Sequence, residues 1–293
     1  MLIQFFIKIT FIVFLSTSLF SYDLEDIKKS GEIRHIGIPY GNFITGSGDG
    51  LDIELIKGFA KYLGVKYVFV PGTLDSFFSG LIGSKIKNGK NGVEFLEKVE
   101  IKGDIIANGI TVLEWRKEIV NFSNPTLPTG VWLIARADSK LKPIVPTDSY
   151  AKDIELVKGM LNKVDVLAME NTCLDPRLYD LYKTGANVIL QENHVKLTEL
   201  VPAIINNNTE TTLLDVSDAL IALEKWPDEI KVIGPISQEQ VMAAVFRKTS
   251  PKLLEEFNKY LEKIKKDGTY DKLVIKYFPN VYNYYDSFFY KSK

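Results

Sequence analysis

A short segment in the first half of the chain combines a predicted helix start with an arginine. Residues Asp104–Ala107 form an apolar run, and the polar turn after them leads to Thr111 and, three residues later, Glu114. This spacing is that of a capping box and predicts a helix that begins at Thr111. The free backbone N–H groups of such a helix start attract an anion, and the planar guanidinium of Arg116 suits a carboxylate. The segment therefore predicts a carboxylate-binding site.

Arginine is scarce in this chain, so each arginine is informative. The sequence holds 36 Lys and Arg residues, and only five of them are Arg. A guanidinium binds a carboxylate through two parallel hydrogen bonds, whereas an ammonium acts as a point charge. The competing interpretation is that Arg116 is a surface helix residue whose stem lies over Trp115. The segment alone leaves both interpretations open.

Composition restricts the class of protein. With 293 residues, of which 46% are hydrophobic, the chain can form one large domain or two modest ones with a buried core. The formal net charge is −1 and no basic stripe is present, which excludes nucleic acid as a partner. Two histidines and one cysteine form no metal-ligand motif, and no Walker loop occurs. We therefore expect neither a metal nor a cofactor.

The N-terminal segment has the pattern of an export signal. Residues 2–20 are apolar apart from Gln4, Lys8 and a few hydroxyl residues, and small residues follow up to Ser21. This pattern predicts a signal peptide over residues 1–21, with an uncleaved membrane anchor as the alternative. The single cysteine excludes an internal disulfide. We expect a protein of the bacterial periplasm whose core needs no cross-link.

Strands and helices alternate along most of the remaining chain. Apolar residues recur at helical spacing over 51–63 before Gly64, whereas 84–92 is rich in Lys, Asn and Gly and is interpreted as a loop. Ser250 and Pro251 predict the start of a long helix, with Ser250 as its N-cap. The alternation predicts an α/β fold with parallel sheets.

Two of the predicted strands end next to polar residues. The strand at Asp104–Ala107 is followed by Asn108, and the strand at 211–214 is followed by Asp215. Ligands of open α/β sheets bind in crevices beyond the carboxyl ends of the strands. We therefore expect Asn108 and Asp215 to face a crevice, which favours the ligand-binding interpretation of Arg116.

At this point several motifs together resemble one protein family. The most specific are the block 103–125, with its Thr-x-x-Glu-x-Arg pattern and a following Phe-Ser-x-Pro, and the Asp-Gly-Thr triplet at 267–269. Weaker similarities are spread over nearly the whole mature chain, at 24–38, 50–55, 157–159, 168–173 and 276–278. The chain resembles the periplasmic solute-binding proteins of ABC transporters for polar amino acids.

The resemblance implies a two-lobed periplasmic-binding-protein fold. Each lobe is a mostly parallel sheet flanked by helices, and two hinge strands join the lobes. Lobe one would comprise residues 22–132 and 238–293, and lobe two residues 137–234. The function implied is capture of an amino acid or a related carboxylate and its delivery to the membrane permease subunits of an ABC transporter. The resemblance also implies a monomer.

In that family, residues at matching positions hold the two ends of the ligand. Arg116 would bind the α-carboxylate, assisted by Thr111 and by groups at Asn108 and Gly109. A carboxylate at the position of Asp215 would hold the α-ammonium. The alternative for Asp215 is a purely structural role as a helix N-cap, because Ser217 and Asp218 follow it.

Further positions would form the rest of the ligand site. An aromatic ring at Tyr40 or Phe43 would pack on the ligand side chain, and core packing is the alternative for both. Thr172 and Cys173 would add hydrogen bonds from a turn in lobe two. Cys173 departs from the hydroxyl residue expected there, and the segment 84–99 is longer than usual in the family.

Two other classes of function stay open. One is an enzyme on the same scaffold, such as a dehydratase of the cyclohexadienyl type, with Glu170, Asp215 or His194 as general acid or base. The other is a sensor subunit that reports the ligand to a membrane receptor. Neither histidine lies in a recognisable catalytic motif, so a binding protein without catalytic residues is favoured.

Overall fold

The computed structural model describes residues 22–74, 76–89, 92–191, 197–285 and 288–289. The predicted signal peptide at 1–21 and His194 lie outside the described residues. Among the helices that are described, none is both long enough and apolar enough to cross a membrane.

Helices and strands alternate as expected over most of the chain. The α-helices of the described residues are α1 (Leu24–Ser30), α2 (Leu51–Leu63), α3 (Phe77–Ile82), α4 (Glu114–Lys117), α5 (Tyr150–Gly159), α6 (Leu200–Ile205), α7 (Val216–Lys225), α8 (Pro251–Lys266) and α9 (Thr269–Tyr277). Short 3-10 turns cover Pro176–Tyr179, Leu181–Lys183, Leu197–Glu199 and Pro279–Asn283.

The strands divide into two five-stranded sheets and two two-stranded sheets. They are β1 (Glu32–Gly37), β2 (Lys66–Pro71), β3 (Ser84–Gly89), β4 (Gly92–Lys98), β5 (Ile105–Ile106), β6 (Val120–Phe122), β7 (Leu127–Thr129), β8 (Val131–Arg136), β9 (Asp165–Ala168), β10 (Asn187–Leu190), β11 (Thr211–Asp215), β12 (Ile230–Pro235), β13 (Gln240–Met242) and β14 (Val245–Arg247).

The first sheet has the strand order β2-β1-β5-β14-β6. β1 pairs in parallel with β2 and β5, whereas β14 returns from much later in the chain and pairs antiparallel with β5 and β6. Successive side chains of a strand point to opposite faces. Ile105 and Phe246 therefore join the core formed with α2, α8 and α9, and Ile106 and Val245 join the core around α3.

The second sheet has the order β10-β9-β11-β8-β12. β9 pairs in parallel with β10 and β11, and β8 pairs antiparallel with β11 and β12. Its own apolar core includes Leu133, Val166 and Leu213, all fully buried. The chain thus forms two lobes, each built on its own sheet.

Two chain crossings connect the lobes side by side. Residues 127–136 run from β7, against the first lobe, directly into β8 of the second sheet, and residues 230–242 return from β12 to β13. β7 pairs antiparallel with β13, and β8 pairs antiparallel with β12. The two crossings therefore form a double-stranded connection.

Three sequence-based predictions of local structure were wrong or incomplete. No helix begins at Thr111: it forms an isolated β-bridge with Met242, and α4 begins only at Glu114 after Leu113. The capping box therefore does not form. The described residues of the segment 84–92 are not an irregular loop: 84–89 form β3 and residue 92 begins β4, and these two strands pair antiparallel. Ser250 makes no side-chain cap for α8.

Candidate ligand site between the lobes

A cavity of about 440 Å³ lies between the two lobes. Its first-lobe wall includes Asn108, Gly109, Thr111 and Arg116, which follow β5. Its second-lobe wall includes residues 169–173, which follow β9, and Leu197. Both walls thus stand at the carboxyl ends of strands, where open α/β sheets bind their ligands.

Arg116 is the buried cation of this cavity. The residue belongs to the single helical turn α4 and is only 7% exposed. Its guanidinium carbon lies 5.5 Å from the ring centre of Phe78 and 5.3 Å from that of Trp115. Burial lowers the pKa of Arg116 to about 10, so the group stays cationic at neutral pH.

The hydrogen-bonding capacity of Arg116 is only partly used. Its Nη1 donates to the carbonyl oxygen of Thr111 at 2.8 Å. Among the described residues, neither its Nε nor the Oγ1 of Thr111 has a hydrogen-bond partner, although both atoms are buried. Buried polar atoms of this kind normally find a partner. The two residues that carry these atoms line the same cavity, and a carboxylate bound there could accept from both.

Asn108 and Gly109 shape the floor of the cavity through backbone geometry. Asn108 Oδ1 accepts from the backbone N–H of Ile38 at 2.7 Å. Gly109 has a φ of +60°, and its N–H donates to the carboxylate of Asp52 at 2.7 Å. A Cβ at Gly109 would stand 2.7 to 2.9 Å from the ring of Phe43. Glycine is therefore required at this position by both conformation and space.

The second-lobe wall contains Thr172 and Cys173. The hydroxyl of Thr172 donates to the carbonyl of Met169 at 2.8 Å and accepts from the N–H of Leu174 at 3.0 Å, so it shapes its own turn. The thiol of Cys173 lies 4.0 Å from Asp215 Oδ2. Burial raises the pKa of the Cys173 thiol to about 12, which keeps it protonated.

Asp215 stands behind Cys173 and is not itself on the cavity wall. Its Oδ1 accepts from the hydroxyls of Thr129 at 2.6 Å and Ser217 at 2.7 Å. It also accepts from the N–H of Ser217 at 3.1 Å and so caps α7, as the structural alternative predicted. Burial raises the pKa of Asp215 to about 6 despite these bonds.

The two aromatic candidates differ in position. Tyr40 lines the cavity, and its hydroxyl donates to the carboxylate of Asp218 in the other lobe. Phe43 is buried in the first-lobe core, with its ring centre 4.7 Å from that of Phe278, and does not line the cavity. Of the two, only Tyr40 can contact a molecule in the cavity directly.

Sequence reasoning missed several residues that the fold brings to this site. Strand β3 contributes Ile86, Lys87 and Asn88 to the cavity wall. The extra length of the segment 84–99 was a signal for them, but the sequence does not show which part of the molecule this segment packs against. Asp218 was named only as a neighbour of Asp215, yet its spacing of three residues on a helix puts both carboxylates on one side. Glu170, named only for the enzyme alternative, also lines the cavity.

Within the ranges that the structure describes, no group of three His, Cys, Asp or Glu residues is arranged to hold a metal ion. The unpartnered polar atoms of Arg116 and Thr111 in the cavity wall suit a small ligand with a carboxylate at one end.

Comparison with known proteins gives a family match over more than half of the chain. The profile of the bacterial extracellular solute-binding proteins, family 3, matches residues 94–280. A curated relative, the probable amino-acid-binding protein YxeM of Bacillus subtilis, is 28% identical over 262 residues, covering 86% of each chain.

Another curated relative is the membrane-bound lytic murein transglycosylase F of Desulfosudis oleivorans. It is 26% identical over 235 residues, which is 79% of this chain but 44% of the relative. The chain thus spans less than half the length of this transglycosylase. Among solved structures, an ancestral amino acid-binding protein described as a precursor of cyclohexadienyl dehydratase is similar with a TM-score of 0.65 and 26% identity. That match covers 87% of this chain and 98% of the other.

Proposed function

Since the chain belongs to family 3 of the bacterial extracellular solute-binding proteins, we propose that its cavity binds an amino acid or a closely related carboxylate for delivery to an ABC permease. The observation that carries this proposal is the buried pair of unpartnered atoms, Arg116 Nε and Thr111 Oγ1, in one cavity wall. A ligand carboxylate would accept a hydrogen bond from each of them and would remove the free-energy penalty of burying these polar atoms without partners.

The opposite end of the ligand is assigned to Asp215. This carboxylate lies 4.0 Å behind the Cys173 thiol and carries a raised pKa. An ammonium group next to the thiol would give Asp215 the cation that it lacks among the described residues. Tyr40, Phe78 and Trp115 supply aromatic surface for the body of the ligand.

The cellular setting follows from the same proposal. The protein is exported by its N-terminal signal into the periplasm, acts as a monomer and meets membrane permease subunits when it holds ligand. No cofactor takes part. The name of the relative YxeM, a probable amino-acid-binding protein, supports the ligand class.

A second candidate is an enzyme of the dehydratase type. It is favoured by the similarity to the precursor of cyclohexadienyl dehydratase and by Glu170, a carboxylate on the cavity wall. A binding protein returns its ligand unchanged, whereas an enzyme converts it. Incubation of the protein with prephenate and arogenate, followed by mass spectrometry, separates the two. We expect both compounds intact, and loss of either that Glu170→Gln abolishes would establish the enzyme.

The ligand class is tested by a thermal-shift screen of amino acids, opines, dicarboxylates and short peptides. A ligand at about a hundred times its Kd adds roughly 2.7 kcal/mol to the folded state. The midpoint of unfolding should then rise by about 2–10 °C for a protein of this size. A flat result across every carboxylate would reject the proposal.

A further inference from the structure

Two carboxylates stand together where the lobes meet. Asp215 is the N-cap of α7 and Asp218 lies in its first turn. Asp215 is 1% exposed, and Asp218 is half-buried. Tyr40, on the loop after β1, donates its hydroxyl hydrogen to Asp218 across 178 residues of sequence. This bond links lobe one to the carboxylate pair in lobe two.

The groups that face the pair are neutral donors. Asp215 meets the hydroxyls of Thr129 and Ser217 and the thiol of Cys173, and the phenols of Tyr179 and Tyr285 lie nearby.

Asp218 meets Tyr40 and the neighbouring Asp215. No lysine, arginine or histidine of the described residues pairs with either carboxylate. The buried cation of the cavity, Arg116, interacts electrostatically with the thiol of Cys173.

When a buried carboxylate and a half-buried one stand close together without a cation, charging both carries a large free-energy cost. In such pairs one proton is held by the two groups together. Burial raises the pKa of Asp218 to about 7 and that of Asp215 to about 6, and the charge of Asp215 further raises the pKa of Asp218.

We infer that Asp218 completes the ammonium site with Asp215. In the ligand-free protein the two carboxylates together hold one proton, and the ligand ammonium displaces this proton to solvent. The inference rests on the proposed function and names a residue that decides specificity within it. Tyr40 lines the cavity and bonds to Asp218, and Cys173 lines the cavity and lies 4.0 Å from Asp215. An ammonium between Tyr40 and Cys173 would therefore stand one side chain away from each acid and attract both of them electrostatically.

Three consequences distinguish this arrangement from a single aspartate. Binding of a zwitterion releases up to one proton, which leaves as the ammonium becomes the counter-ion of the pair. The affinity for zwitterions rises with pH until the pair is ionised. A ligand of the same shape without the ammonium releases no proton and binds more weakly.

The first experiment uses the ligand-free protein and so does not depend on ligand identity. Infrared difference spectra between pH 5 and 8 report the protonated carboxyl band of buried acids. Asp218→Asn should remove one carboxyl that titrates in this range. Tyr40→Phe should shift its midpoint upward, because the Tyr40 hydroxyl bond favours the charged form. The exposed, isosteric control Asp228→Asn should leave the spectrum unchanged. An identical titration in wild type and Asp218→Asn would overturn the shared proton.

The second experiment is calorimetry at pH 6 in phosphate and in Bis-Tris, which both buffer at this pH and whose different ionisation enthalpies reveal proton release. The probes are L-arginine with 5-guanidinopentanoate, and L-phenylalanine with 3-phenylpropionate. Each amino acid that binds should release a proton and should bind more tightly than its des-amino partner. Asp218→Asn should abolish proton release. It should also weaken the binding of the amino acid by about tenfold or more, as expected for a lost charge-assisted interaction.

The outcomes separate the two proposals. Equal affinity for an amino acid and its des-amino partner, or unchanged proton release in Asp218→Asn, would overturn the role of Asp218 while leaving carboxylate binding intact. Failure of all four probes and of the wider screen would reject the proposed function, and with it the ammonium site. In that case the infrared titration would still test whether Asp215 and Asp218 share a proton.

Discussion

The backbone N–H of Gly109 donates a 2.7 Å hydrogen bond to the carboxylate of Asp52, which lies in the first turn of α2. This bond ties the cavity floor to the longest helix of the N-terminal half of the chain. Burial raises the pKa of Asp52 to about 7, and the Gly109 N–H opposes that rise. The cavity floor is therefore coupled to the protonation of a core carboxyl.

Asp52 makes the stability of the fold fall as pH rises through the weakly acidic range. The unfolded chain releases this proton near pH 3.8, whereas the folded protein keeps it to about pH 7. The folded state thus binds more protons in that interval, and its free energy of unfolding decreases with pH. Asp52→Asn keeps an acceptor for Gly109 and has no proton to lose. We expect the melting temperature of the variant minus that of wild type to be more positive at pH 8 than at pH 5. The same difference at both pH values would contradict this assignment.

Gly109→Ala should destabilise the protein. A side chain at a φ of +60° costs about 1–3 kcal/mol, and the new Cβ would also collide with the Phe43 ring. Urea denaturation measures the loss. The matched control is Gly159→Ala in the last turn of α5, where a Cβ meets nothing within 4 Å. That variant should be neutral or more stable by up to about 1 kcal/mol. Equal stability of the two variants would refute the conformational argument.

Cys173 should be inert in the folded protein. Its thiol is 8% exposed and its pKa is raised to about 12, whereas thiol reagents react with the thiolate. With Ellman's reagent at pH 8 we expect no fast colour from native protein and one equivalent in urea. Rapid labelling of the native state would mean that the cavity wall at Cys173 opens readily.

The sequence was most informative where a pattern is local. The apolar spacing of 51–63 and the glycine after it predicted α2 correctly: the helix spans Leu51–Leu63, and Gly64 ends it with a φ of +72°. The alternation of elements predicted the α/β lobes. The motifs around Arg116 predicted the family that the profile match identifies. Each of these signals lies within a few turns or a short motif.

The predictions that were wrong depend on contacts distant in sequence. Thr111 and Glu114 have capping-box spacing, but the N–H of Val112 bonds to the carbonyl of Val241 instead. This pairing with the returning chain holds Thr111 extended, so the helix starts later. Likewise, the lysine- and glycine-containing residues 84–89 pair with β4 as a strand, because alternate residues such as Ile86 pack against an apolar surface in the tertiary fold.

The site shows the same limit. The residue types at Arg116 and Asp215 suggested the two ends of a zwitterion, and that assignment stays a prediction. The sequence could not reveal that Tyr40 reaches Asp218, since the bond exists only once the two lobes meet. Nor could the sequence show which of the two aromatic residues faces the cavity: Tyr40 lines it, whereas Phe43 packs in the first-lobe core.

Calorimetric titration of Arg116→Ala with the tightest ligand from the screen measures how much Arg116 contributes to ligand binding. The matched control is Lys117→Ala, the exposed neighbour in α4 that pairs with Glu114 at 2.7 Å. Loss of a charge-assisted bond in a buried site, about 1.5–3 kcal/mol, predicts at least a tenfold to hundredfold weaker Kd for Arg116→Ala. Arg116→Lys should recover only part of it, because the planar fork is gone. Lys117→Ala should bind like wild type. Unchanged affinity in a folded Arg116→Ala protein would contradict the assignment of Arg116 to the ligand carboxylate.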